Sequence, residues 1–533
     1  MGGSGSGKST AYSMPNAYQK LGSYVFTDPK GEIYDQTAGY LQQNGYKIKV
    51  FNLVKPQNSD GYNPLAHIRS ALDVDVIAET IVQGLNKTNV SDKFWDDTAN
   101  MLLKSLIYYL IATRPPEEQN LASCAEMIRA AAEDNEGDNL LKEMMSVLPY
   151  NHPARIFYKN VEVASEKTFK SILVSLQAKL GKFDSEEIAE VTSTNTIDFE
   201  SIGKEKTAIY VISSDTHDAY DFLLTIFFDQ MLQQLYDLAD TLPGNHLTVP
   251  TYFILDEFAN IGQIPDFHKK ISTSRSRKIS FSVILQNLDQ LKNIYKETHE
   301  TIIGNCDTHV FLGSNSLSTV EYFSKTLGEK TIFRNSASIN KDKNGDKTGT
   351  SNSEHILGRA LMTPDELRRM GVDDCIIFEK GLKPIKAKKY FYYKTHMIKD
   401  FNKFKLNHNN FNAGVRGAWK KFNPYDPDSE LEGENIDLKV ESLDDLFKDE
   451  SETDKKINNI NSSAIDELFY DEQENINKSI NEKNIADYAL DELLSDYNDE
   501  EIVKEEKNIE SIDIQKELEA KFDELFGSNE NIK

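Results

Sequence analysis

The chain has 533 residues and three widely spaced cysteines, Cys124, Cys306 and Cys375, which excludes a disulfide-built scaffold and a cysteine zinc site and fits a reducing compartment. No run of about 18 apolar residues and no basic-then-apolar opening segment occurs, so neither a membrane span nor a secretory leader is expected and the chain as given reads as soluble. The net charge of −26 is concentrated at one end: residues 425–533 carry 35 acids against 11 bases, leaving 51 acids and 49 bases elsewhere, so overall acidity does not argue against nucleic-acid binding by the folded part.

The opening stretch MGGSGSGKST has two readings. It is either a glycine-serine linker or a phosphate-binding loop, because Gly2, Gly7, Lys8 and Ser9 fit G-x-x-x-x-G-K-[ST], with Gly3, Ser4, Gly5 and Ser6 between them and Thr10 following. Such a loop needs glycines because its backbone wraps phosphate with N–H groups inward, at φ values that side chains disfavour. In the second reading Lys8 reaches the β- and γ-phosphates and Ser9 ligates Mg²⁺.

Strand-like runs follow at SYVFT (23–27), KIKVFNL (47–53), TAIYVIS (207–213), TYFILDE (251–257), FSVILQ (281–286) and HVFLG (309–313). Alternating with helix-length segments, they predict a buried parallel sheet in an α/β domain. Between residues 67 and 199 strand signals vanish and helical periodicity takes over, as in FWDDTANMLLKSLIYYLIA (94–112) and SEKTFKSILVSLQAKLGKF (165–183), which predicts an inserted all-α domain.

YFILDEF places Asp256 and Glu257 at the end of a strand, at the carboxyl edge of the sheet where a nucleotide would bind; the same pair also suits a helix cap. Thirty residues after Asp256, Gln286 ends the next strand and falls beside the acidic pair if the two strands are neighbours. Arg275 and Arg277 follow the intervening helix, either to favour its C-terminus or to reach a neighbouring subunit's γ-phosphate, which requires a ring. After Leu327, NKDKNGDKTGT between two β-like segments predicts a long hairpin or a loop.

From Lys383 to Lys421 eleven bases face one acid, Asp400, with Tyr390, Tyr392, Phe404 and Trp419 interleaved. This composition suits single-stranded nucleic acid and equally suits a solvated edge strand and linker. Beyond it the tail reads as disordered, with LDDLF (443–447), IDELF (465–469), LDELL (490–494) and FDELF (522–526) recurring at irregular spacing as candidate docking motifs.

The stretches GGSGSGKS (2–9), TDPKGEIY (27–34), SDGYNPL (59–65), SEKTFKSIL (165–173) and LDEFANIGQIPDFHKKISTSRSRKISFSVILQNLDQL (255–291) resemble the coupling proteins of conjugative type IV secretion, the TraG/TraD-like DNA-translocating ATPases. The likeness spans residues 2–395. It implies a RecA-like P-loop NTPase domain in two parts, 1–66 and 200–395, interrupted by the all-α domain 67–199 and followed by a basic linker, 396–424, and an acidic tail, 425–533. It further implies ATP and Mg²⁺ as cofactors, a homo-hexamer around a DNA channel, and a place at the cytoplasmic face of the bacterial membrane.

The expected partners are DNA, single-stranded and without sequence preference, the components of the secretion channel, and relaxase proteins recruited through the tail and the all-α domain. By the same resemblance Lys8, Ser9 and Asp256 hold ATP and Mg²⁺, Glu257 activates water, Gln286 senses the γ-phosphate, and Arg275 is the finger, with Arg277 a second basic residue. The family carries two membrane helices and a strand ahead of the loop, whereas one Met precedes Gly2 here, so an incomplete start is expected. The competing readings are a chromosome-partitioning pump, disfavoured by TDPKGE and DEFANIGQIPDF, and a non-hydrolysing recruitment platform.

Overall fold

The computed structural model describes residues 1–83, 93–133, 140–214, 216–217, 219–341 and 347–425; the acidic tail and its four repeated phrases lie outside them. Five strands, β1 (Ser23–Thr27), β2 (Lys47–Asn52), β3 (Thr207–Ile212), β4 (Thr251–Leu255) and β5 (Ile279–Val283), form a parallel sheet in the order β2-β3-β1-β4-β5. Both faces are covered, which is why the strands are near-continuous apolar runs. Successive side chains leave by opposite faces. Tyr24, Phe26 and Tyr210 enter a core completed by Ile33, Leu41 and Phe401, while Val25, Ile209 and Phe253 enter the larger core on the other side.

Seven helices among the described residues lie between β2 and the short helix that precedes β3: Ala71–Gln83, Lys93–Thr113, Leu121–Glu133, Leu140–Ser146, Pro153–Glu162, Glu166–Leu180 and Glu186–Ser193. Local signals set their ends; Ser165, for example, accepts the Thr168 N–H at 3.3 Å as an N-cap. Among the described residues, the insertion shares its core with the sheet region. Leu102, Leu106 and Leu176 belong to the same apolar cluster as Phe227, on helix Asp221–Thr241, and Phe253 of β4. That helix is the hub between the two regions. Its Gln230 accepts the Tyr62 hydroxyl at 2.6 Å, and Gln234 donates to His67 O at 3.2 Å, which holds the chain where it enters the helical region.

β6 (Thr308–Phe311) corrects one expectation. HVFLG does not join the parallel sheet; β6 pairs antiparallel with β9 (Asp374–Glu379) in a second sheet ordered β10-β9-β6, with β10 at Ile385–Lys388. β5 and β6 are edge strands facing a cleft of about 610 Å³ lined by Phe281, Val283, Leu285, Ile302, His309 and Val310. β7 (Glu329–Lys341) and β8 (Lys347–Ala360) form a long antiparallel hairpin.

Parts of the basic stretch are anchored to the core, while nine of its eleven basic residues are exposed. Met397 and Phe401 of helix Met397–Lys403 enter the Tyr24 core. Phe422 is buried in the large core, with the Arg114 guanidinium 4.4 Å from its ring centroid. Lys420 N–H donates to Glu117 O at 2.9 Å, and Asn120 donates back to Lys420 O at 2.9 Å. Lys388 and Lys386 flank Asp374 at 2.5 and 3.4 Å, and Lys394 pairs with Asp373 at 3.0 Å. Paired side chains of this kind are poor candidates for a row of DNA-facing cations. Among the described residues no helix is long and apolar enough to cross a membrane.

Candidate phosphate site

The glycine-rich opening folds into a loop over the carboxyl end of the sheet. Its backbone is stitched to both flanking strands: Gly2 N–H donates to Leu285 O at 3.0 Å, just past β5, and Gly3 N–H to Gly313 O at 2.9 Å, just past β6. Gly5 and Gly7 have φ of 72° and 84°, the left-handed region where glycine carries no steric cost. Gly7 is doubly constrained, because a Cβ there would lie 2.7 Å from the Phe391 ring. The chain then winds into a π-turn over Ser9–Ser13 that continues as helix Met14–Tyr18. Lys8 is buried, and its Nζ donates to Gly3 O at 3.3 Å, folded back across the loop.

The acidic pair lies alongside. The Ser9 hydroxyl donates to Asp256 Oδ2 at 2.5 Å, and the Thr27 hydroxyl of β1 donates to the Asp256 carbonyl at 2.6 Å. Asp256 Oδ1 is buried without a partner among the described residues. Burial, only partly countered by the Ser9 hydrogen bond and the Lys8 charge, raises the Asp256 pKa. An orphaned carboxylate oxygen beside a hydroxyl is an oxygen-donor set that fits a hard divalent cation such as Mg²⁺, which also returns the carboxylate to its charged form. Residues Gly2–Ser9 together with Asp256 therefore fit a metal-bound polyphosphate.

Glu257 follows at φ 54°, a left-handed conformation uncommon for a side chain of this size and found where surrounding structure enforces it. Its carboxylate accepts the Gln286 amide at 2.9 Å and, more weakly, the Asn260 amide at 3.4 Å. The first contact exists because β4 and β5 are parallel neighbours, with Leu255 opposite Val283. Arg275 is not part of this cluster within one chain: its side chain is 94% exposed and lies 3.7 Å from Asp307. Arg277 is held by the Asp240 carboxylate through two hydrogen bonds of 2.9 Å, with its guanidinium 4.8 Å from the Tyr236 ring centroid. That geometry packs the Arg277 side chain against helix Asp221–Thr241.

Asn260, Lys389 and Phe391 also shape the site, and sequence reasoning singled out none of them as site residues. In the sequence Lys389 is one base among eleven, yet it is buried and donates to Ser6 O at 2.9 Å and Leu312 O at 2.7 Å.

Asp28, beyond the end of β1, is buried and accepts the Tyr34 N–H at 2.7 Å; burial outweighs that bond and pushes its carboxyl up to about 7. The native state thus holds a proton that the unfolded chain has lost above about pH 4. Stability is therefore expected to fall as pH rises from about 4 to about 7 and then to level off. Asp28→Asn is expected to flatten this component, checked by thermal melts across that range.

Over residues 1–415 the sequence matches the family described as Type IV secretory system Conjugative DNA transfer. The chain belongs to this family. It is 22% identical over 405 residues to Protein VirD4 of Rhizobium rhizogenes, covering 74% of this chain and 58% of that protein. It is 24% identical over 426 residues to Conjugal transfer protein TraG of Escherichia coli, covering 73% and 66%. The chain thus spans less than two thirds of the length of these relatives. Among solved structures, plasmid coupling protein TrwB in complex with a non-hydrolysable ATP analogue superposes with a TM-score of 0.52 at 16% identity, over 78% of this chain and 87% of that one. The family's fold is therefore that of the described residues, an α/β core with a parallel sheet and a helical insertion.

Proposed function

We propose that this chain is an ATP-hydrolysing coupling protein that moves relaxase-bound DNA, or protein cargo, into a type IV secretion channel. The observation that carries the nucleotide part is the Ser9–Asp256 contact beside a left-handed glycine loop, with one Asp256 oxygen unpartnered. Related TrwB structures hold an ATP analogue, or ADP with Mg²⁺, which supports the same ligands here. In this reading loop N–H groups and Lys8 bind the phosphates, while Ser9 and Asp256 hold Mg²⁺. Bound Mg²⁺ supplies neutralising charge at the phosphate oxygens.

Glu257 takes the proton of the attacking water, and Gln286, bonded to it, reports the state of the γ-phosphate to the end of β5. Arg275, exposed at the far end of that strand, completes the site only from a neighbouring subunit, which favours the homo-hexamer. The domain division read from the sequence, sequence-independent binding of single-stranded DNA, placement at the cytoplasmic membrane face, and recruitment of relaxase or accessory proteins by the tail belong to the same proposal.

The test is ATP turnover by the full chain, by Lys8→Ala and by a chain ending at residue 425, each with and without single- and double-stranded DNA, paired with relaxase pull-down. Lys8-dependent turnover stimulated by DNA is expected, with the shortened chain losing pull-down but keeping turnover. Turnover equal to that of Lys8→Ala would recast the chain as a recruitment platform, and undiminished pull-down would remove the tail from the proposal.

A further inference from the structure

We propose that Lys389 is a positioning residue of the phosphate loop: its ammonium fixes the peptide plane between Ser6 and Gly7 and leaves a positive charge for a polyphosphate to neutralise. The inference rests on the reading of the loop as an ATP site and adds a residue that no motif places there.

Lys389 directly follows β10 and is anchored by its own N–H, which donates to Asp373 O at 2.8 Å. From there the side chain runs inward until it is 8% exposed, and Nζ donates to Ser6 O at 2.9 Å and Leu312 O at 2.7 Å. Leu312 is also a backbone partner of the chain's first residue, its N–H donating to Met1 O at 2.8 Å. One ammonium therefore ties the outer wall of the loop to the residue after β6. In a trans peptide the carbonyl oxygen and the following N–H point in opposite directions. Drawing Ser6 O toward Lys389 aims the Gly7 N–H the other way, toward the hollow of the loop. Phe391, two residues on, buttresses Gly7 from the same segment.

The electrostatics point to a ligand as well. A buried ammonium is costly unless it is paired and fully hydrogen-bonded. Lys389 has two carbonyl acceptors and no carboxylate within ion-pair distance among the described residues. The nearest acids, Asp373 and Asp374, are already engaged by Lys394 and by Lys386 and Lys388. Burial lowers the Lys389 pKa, so the site gains when an anion arrives. A residue acting only through its two hydrogen bonds would affect the affinity for an anion without affecting how that affinity depends on salt.

The experiment titrates the full chain with inorganic tripolyphosphate in the presence of Mg²⁺, by calorimetry at two salt concentrations, for wild type and Lys389→Met. Charge-assisted hydrogen bonds of this kind correspond to an expected loss of about tenfold or more in affinity and a shallower salt dependence. A folded Lys389→Met that binds as wild type overturns the inference. A wild type that binds neither tripolyphosphate nor ATP overturns the underlying site reading instead. Should Lys389→Met fail to fold, Lys389→Gln, which keeps an N–H donor and loses the charge, takes its place: a shallower salt dependence of tripolyphosphate binding than in the wild type is expected, and an equal one overturns the inference.

Discussion

Glu257→Gln is expected to lower ATP turnover by about 10² to 10⁴-fold while leaving ATP affinity within about threefold of wild type. The substitution is nearly isosteric, and an amide oxygen still accepts from Gln286, whose Nε2 lies 2.9 Å from Glu257 Oε1 in the native chain. The left-handed backbone at residue 257 suits Gln no worse than Glu. What is lost is the basicity that takes a proton from water. Binding is spared because the phosphate-facing groups, Gly2–Ser9 and Asp256, belong to the loop and to the preceding residue. Phosphate release and equilibrium ATP titration on one preparation separate the two quantities. Turnover within tenfold of wild type would remove Glu257 from the role of base.

Lys270→Met is expected to destabilise the fold by about 3 to 5 kcal/mol, seen as a fall of several degrees in the thermal midpoint. Lys270, on helix Phe267–Thr273, forms an ion pair with Asp229 of helix Asp221–Thr241, and both side chains are largely buried. Losing the lysine strands a buried carboxylate, whose pKa is already raised by burial and held down only by Lys270. Asp229 then escapes the penalty by taking a proton. The loss is consequently expected to shrink as pH falls from 8 toward 5, and Asp229→Leu combined with Lys270→Met is expected to recover most of it. Equal destabilisation of single and double variants would show that packing, not charge, holds the two helices.

Much of the site follows from chain order. The Asp256, Glu257 and Gln286 grouping is legible because each residue follows an apolar run and the two runs, consecutive in the chain, pair as neighbours here, as consecutive strands more often do than not. The helical insertion is legible from its period, and Tyr62 and Asn63, at its entry, sit in a phrase whose polar groups bond to Gln230 and Gln119. Lys389 is illegible for a physical reason: it lies 383 positions from its partner Ser6 and contacts a backbone carbonyl, which leaves no trace in side-chain chemistry. HVFLG misleads because an apolar run of that length is equally suited to either sheet. For the basic stretch, charge counting does not see Asp373 and Asp374, which lie upstream of it and pair with Lys386, Lys388 and Lys394.

The loop is hydrogen-bonded on one side to the end of β5 and on the other to the end of β6, two strands that belong to different sheets. Any sliding of one sheet past the other must stretch the Gly2–Leu285 or Gly3–Gly313 bond, and so distort the cradle itself. The loop thereby works as a strain gauge spanning a joint. A displacement between the two sheets would therefore register in the loop backbone directly.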